Sequence, residues 1–186
     1  PAMRNVTLAD SKITATQKKL VRQVLDSGRL TYGPMTQEFE KKFAKLHSRK
    51  YAIFTNSGTS ALQVALHYLK ERYDWEDGDE VIVPAVTFVA TVNVVLQNGL
   101  TPVLVDVMLD DYNVDPKGIE EAVNPRTRAI IPVHLLGHPA QMDKIMKIAR
   151  KYKLKVLEDS CETMFVKYKD KPVGSQGDIA CFSSYL

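Results

Sequence analysis

The sequence predicts an α/β domain, with a mostly parallel sheet flanked by helices. Two observations carry that prediction. Short, near-continuous apolar runs ("VIVP", "PVLVDV", "AIIPV", "KVLED") alternate with single helical patterns, which is how strands buried on both faces read. The 186 residues, 45% apolar and 25% charged, suffice for one well-buried core and show no compositional sign of disorder.

The elements follow in order. "SKITATQKKLVRQVLDSG" places Ile13, Leu20, Val21, Val24 and Leu25 at helical spacing, and Gly28 stops the helix. "TYGPMTQEFEKKFAKLHS" reads as a Gly-Pro turn and a helix with Phe39, Phe43, Ala44 and Leu46 on its apolar face. "YAIF" is expected as a strand and "TSALQVALHYLKERY" as the helix after it. The alternation then repeats: strand "DEVIVP", helix "TFVATVNVVLQNG", strand "TPVLVDV", short helix "DPKGIEEAV" with Pro in its first turn. Strand "TRAIIPVHLLG", helix "AQMDKIMKIARKY", strand "LKVLED" and a further strand in "GDIACFS" complete the chain. There is no internal repeat or low-complexity stretch.

Charge and composition exclude several classes of function. Twenty-five Lys and Arg against 22 Asp and Glu leave +3, too small and dispersed an excess for a nucleic-acid partner. The basic stretches "SRKY" and "ARKYKLK" suit helix C-termini, where the helix dipole favours cations. No run approaches the ~20 apolar residues of a spanning helix, so no membrane partner is expected. The opening "PAMRNVTLADSKITATQ" lacks the apolar core of a signal peptide, and a cytoplasmic location is expected. Cys161 and Cys181, without C-x-x-C spacing, read as reduced thiols. His134 and His138 are separated by a segment containing Gly137, and Pro139 follows, so no shared helical face and no metal site is expected.

Ligands of open α/β sheets bind beyond the carboxyl ends of the strands, and four such ends carry notable residues. In "FTNSGTSAL", Gly58, Thr59 and Ser60 stand where a helix begins. They suit either a structural cap or a phosphate site, since N-terminal N–H groups are unpaired and the dipole is positive there. No Walker lysine and no G-x-G-x-x-G fingerprint is present. Phe88 in "VIVPAVTFVATVN" is either core or a stacking platform for a flat ring. Glu158 and Asp159 end "KVLED"; a carboxylate there either bridges locally or pairs with a protonated ring nitrogen. Ser183 follows the last strand and offers another hydroxyl to an anion. Phosphate, ring platform and ring-nitrogen carboxylate on one sheet edge together suggest pyridoxal phosphate.

These stretches carry a resemblance. "YGPMTQEFEKKFA", "NSGTSAL", "GDEVIVPAVTFVATVN", "PVLVDV", "RAIIPVHLLGHPAQMD", "LED" and "GDIACFS", in this order, resemble the pyridoxal-phosphate-dependent DegT/DnrJ/EryC1/StrS nucleotide-sugar aminotransferases. The resemblance implies the large domain of the aspartate aminotransferase fold over residues 1–186, with a C-terminal small domain outside this sequence. It implies phosphate binding at Gly58, Thr59 and Ser60, ring stacking on Phe88, pairing of the ring nitrogen with Asp159, and a phosphate-side hydroxyl at Ser183. It also implies a keto nucleotide-sugar substrate in sugar, polysaccharide or antibiotic biosynthesis, an amino donor such as glutamate, pyridoxal or pyridoxamine phosphate as cofactor, and a homodimer.

Two departures qualify the match. Glu162 stands where the family carries Gln or His near the cofactor's 3-hydroxyl, and Ser184 replaces an aromatic. The family's Schiff-base lysine follows the serine by five, at position 188, two residues beyond Leu186. Relatives with His at that position resemble sugar 3-dehydratases instead, and a non-catalytic relative is the third alternative.

Overall fold

The structure, a computed structural model, describes residues 13–184. Two helices, α1 (Ala15–Asp26) and α2 (Pro34–Leu46), precede the sheet. Thr14 and Gln17 form a reciprocal capping box that starts α1: the Thr14 hydroxyl accepts from Gln17 N, and Gln17 Oε1 accepts from Thr14 N. The predicted apolar face of α1 is not buried; Leu20, Val21 and Leu25 are exposed, so local capping rather than packing defines this helix. On α2, only Ala44 of the four expected residues is buried, while Phe39 and Leu46 are exposed.

From there the chain alternates. Helix α3 spans Gly58–Arg72, β1 Glu80–Pro84, α4 Val89–Gln97, β2 Thr101–Val105, α5 Pro116–Ala122 and β3 Thr127–Ile130. Helix α6 (Met142–Tyr152), β4 (Lys155–Ser160), a small antiparallel hairpin of β5 (Lys167–Tyr168) and β6 (Lys171–Pro172), and β7 (Ile179–Phe182) follow. The five main strands form one parallel sheet in the order β2-β1-β3-β4-β7.

Side-chain alternation splits the core into two layers. Val81, Val83 and Leu157 pack with Leu62, Leu66 and Leu69 of α3 and Val94 of α4 on one face. Ile82, Ile130 and Val156 meet Ile119 of α5 and Ile145 and Ile148 of α6 on the other. Because both faces are covered at the centre of the sheet, β1, β3 and β4 send apolar residues into both layers, which explains their near-continuous runs in the sequence.

The expected strand at 51–54 is not formed. Residues 51–55 run without regular structure, and Tyr51 and Ile53 are 75% and 80% exposed. A groove of about 560 Å³, lined by Ile53, Phe54, Ala180 and Phe182 among others, separates this segment from β7. With that gap the two backbones make no ladder among the described residues, and the Phe54 N–H instead donates to Glu40 Oε1 at 2.7 Å. The β5–β6 hairpin leaves no signal in the sequence, since two-residue strands carry no periodicity to read.

Candidate active site

Going from β1 to β2 the sheet grows one way, and through β3 it grows the other. The carboxyl ends near that reversal are where open α/β sheets bind ligands. The starts of α3 and α4 and the end of β4 converge there.

At the first of these, Ser57 is the N-cap of α3: its Oγ accepts from Ser60 N at 3.1 Å and donates to Ser60 Oγ at 3.0 Å. The N–H groups of Gly58 and Thr59 make no backbone bond among the described residues, as expected at a helix start. Gly58 is buried under two neighbours. A Cβ there would lie 2.7 Å from Cys161 Sγ and 2.9 Å from Ser183 Cβ. No side chain fits, so glycine is required by close approach. The contact also brings Gly58 and Ser183, 125 positions apart in the chain, against each other. Thr59 is exposed and Ser60 half-buried.

Asp159, 3% exposed at the end of β4, is the second element. Its Oδ2 accepts from the hydroxyl of Thr91 on α4 at 2.8 Å, and its Oδ1 from the N–H of Cys161 at 3.1 Å. A carboxylate offers about four lone-pair positions, so capacity for a further donor remains. Phe88, the N-cap residue of α4, holds an exposed ring at the same edge.

Glu158 is disposed differently. Fully buried, it accepts from Gln176 N and Gly177 N on Oε1 at 2.8 and 2.5 Å, and from Gly174 N on Oε2 at 2.8 Å. Arg49 Nη2 approaches Oε1 at 3.5 Å. His134 Nδ1 accepts from Ala140 N at 3.0 Å, which leaves the proton on Nε2 and directs it to Glu158 Oε2 at 3.1 Å. Burial alone would raise the Glu158 carboxyl, but the bonds from His134 and the loop N–H groups outweigh it and hold it below its ordinary value. Glu158 is saturated and structural; Asp159 has room.

Glu162 is exposed, and its Oε2 accepts from Leu136 N at 3.0 Å. Its carboxylate thus holds the turn after β3, where Leu136 takes a left-handed φ of 49°. Thr163 supports the same turn, accepting from Gly137 N at 3.0 Å and donating to His134 O at 2.7 Å. Cys161 and Cys181 are both free thiols, each pushed upward chiefly by burial.

The structure therefore gathers Gly58, Ser183 and Asp159, with Thr59, Ser60 and Phe88 on the rim. Ser57, Thr91 and Cys161 complete the arrangement and were not singled out by sequence. For Thr91 a signal existed: it stands four residues after Thr87, one helical turn on, and two residues into the helix that Phe88 opens.

The chain belongs to the DegT/DnrJ/EryC1/StrS aminotransferase family, whose profile matches residues 11–185. It is 39% identical over 177 residues to dTDP-3-amino-3,4,6-trideoxy-alpha-D-glucose transaminase of Streptomyces venezuelae, covering 95% of this chain and 46% of that protein. Among solved structures, an aminotransferase from Psychrobacter cryohalolentis is 39% identical, with a TM-score of 0.87 over 92% of this chain and 43% of its own. The E. coli GDP-4-keto-6-deoxy-D-mannose-3-dehydratase with bound hydrated PLP is 35% identical, with a TM-score of 0.93 over 99% of this chain and 48% of its own. The chain spans less than half the length of the curated relatives it matches.

Proposed function

We propose that this chain is the cofactor-binding part of a longer, pyridoxal-phosphate-dependent aminotransferase acting on a keto nucleotide sugar, with an amino donor such as glutamate. The observation that carries the reading is Asp159: a nearly buried carboxylate at a strand end, fixed by two donors and able to accept a third. The residues around it fit the group. The helix start at Gly58 and Thr59 offers a phosphate dianion N–H groups that have no backbone partner among the described residues, with Ser60 and Ser183 hydroxyls beside it. Phe88 offers its exposed face to a planar ring.

In this reading α3 anchors the phosphate and Asp159 accepts the proton-bearing ring nitrogen, keeping positive charge at that atom. When bound, the cofactor supplies the electron sink that amino transfer needs. Glu162, which holds the turn at Leu136, stands in this reading where the family places a residue near the cofactor's 3-hydroxyl. A homodimer is part of this reading.

A second reading, 3-dehydration of a keto sugar, is favoured by the match to the E. coli dehydratase along nearly the whole chain and by the acidic Glu162 in place of Gln or His. Lysine five residues after Ser183 supports amino transfer, and borohydride would then fix the cofactor covalently to the protein. Histidine there supports dehydration, with no such fixation.

The test of the cofactor assignment is a fluorescence titration of the full-length protein with pyridoxal phosphate. Asp159→Ala is expected to weaken binding at least about tenfold, the loss of a charged hydrogen bond. An unchanged dissociation constant would sink the assignment.

A further inference from the structure

Thr91 is fully buried, on the first turn of α4, and its hydroxyl is committed across the fold rather than to its own helix. It lies 2.8 Å from Asp159 Oδ2 and 2.8 Å from the Thr87 hydroxyl. A hydroxyl has one proton. Since Thr91 gives its proton to the carboxylate, Thr87 must be the donor in the other bond. The three side chains form a directed chain: Thr87 O–H to Thr91 O–H to Asp159.

We propose that Thr91 is the positioning residue of this site, holding Asp159 in the orientation that accepts a ring N–H, and that Thr87 polarises it from the rim. This rests on the cofactor reading above. The terminal torsion of Asp is broad and weakly restrained by sterics, so the carboxylate's orientation is set by its donors. One is the Cys161 N–H on Oδ1, which comes from the same strand end and moves with it. The other is the Thr91 hydroxyl on Oδ2, which belongs to a different element and so ties the carboxylate to α4. Of the two χ1 rotamers open to a helical threonine, the bonds to Thr87 and Asp159 hold Thr91 in the one that crosses to β4. Polarisation along a hydrogen-bonded chain strengthens each member in a low-dielectric interior. Glu158 and its donors fix the strand end from the opposite face but touch neither Asp159 oxygen.

The experiment uses the full-length protein, pyridoxal phosphate labelled with 15N in the ring, and the variants Thr91→Val, Thr91→Ser and Thr87→Ala. The ring 15N shift reports protonation at the atom that Asp159 faces, which a merely structural role would not move. Thr91→Val is expected to raise the dissociation constant about fivefold to tenfold, the loss of one charge-assisted bond, and to shift the 15N signal toward the unprotonated ring. Thr91→Ser should restore both. Wild-type binding and shift in Thr91→Val would overturn the proposal. If Thr91→Val does not fold, Thr87→Ala at its half-buried position decides: a smaller shift in the same direction supports the chain, and no shift overturns it. Failure of the unsubstituted protein to bind the cofactor takes down the proposed function itself, a result distinct from tight binding that ignores Thr91.

Discussion

Glu158 and Asp159 are adjacent in the chain and face opposite sides of one sheet, as strand geometry requires. One carboxylate therefore looks into the layer with α3 and α4, the other toward the loop at 174–177. Their partners decide their roles. Glu158 is met by three backbone N–H groups, a histidine and an arginine, and so ties β4, the loop before β7 and the residues after β3 into one unit. Glu158→Gln turns part of an acceptor into a donor facing donors. Breaking a buried charged network of this kind costs roughly 3 kcal/mol, and urea denaturation at neutral pH is expected to show that loss. A stability change under 1 kcal/mol would mean that water or loop movement replaces the carboxylate.

At the scale of elements, the start of α3 is defined by exclusion as much as by capping. Gly58 packs against Cys161 and Ser183, so the helix N-terminus and the ends of β4 and β7 touch without an intervening side chain. Gly58→Ala must push these ends apart, at a cost of about 1–3 kcal/mol from overpacking, and should loosen phosphate binding along with it. The check is a melting curve together with a titration of pyridoxal phosphate; a variant as stable and as tight-binding as the parent would refute the contact. Much of this level was legible in the sequence. The parallel sheet, every main strand from β1 on, and the small residues at a strand-to-helix junction follow from periodicity and turn chemistry. The segment 51–54 misled because apolar, β-prone residues predict a strand only when a partner edge lies within hydrogen-bonding reach, and here a groove intervenes. The apolar stripe of α1 likewise predicted burial that the described residues do not supply. Thr91 and the donors to Glu158 were hidden because their partners lie far away in the chain, and no local pattern encodes a contact between α4 and β4.

For the whole molecule, the two core layers account for cohesion at neutral pH, while the buried Glu158 network is one source of stability that acid removes. The folded protein holds this carboxyl below the ordinary 4.5, through His134 and the loop N–H groups acting against burial. A depressed folded-state value means that the unfolded chain binds the proton more readily. Stability from this group is therefore present above about pH 4.5 and is lost as pH falls through the folded value. Asp143, held to about 2 by Lys169 and Tyr168, is exposed, and solvent screening reduces its weight. The urea midpoint should be flat from pH 7 to 5, then fall below about pH 4.5. Glu158→Gln should start lower and descend with a shallower slope, because the proton uptake that drives the fall is gone. Parallel curves for the two proteins would place the acid sensitivity elsewhere, among the surface carboxylates, and would remove Glu158 as the group that couples the end of β4 to proton binding.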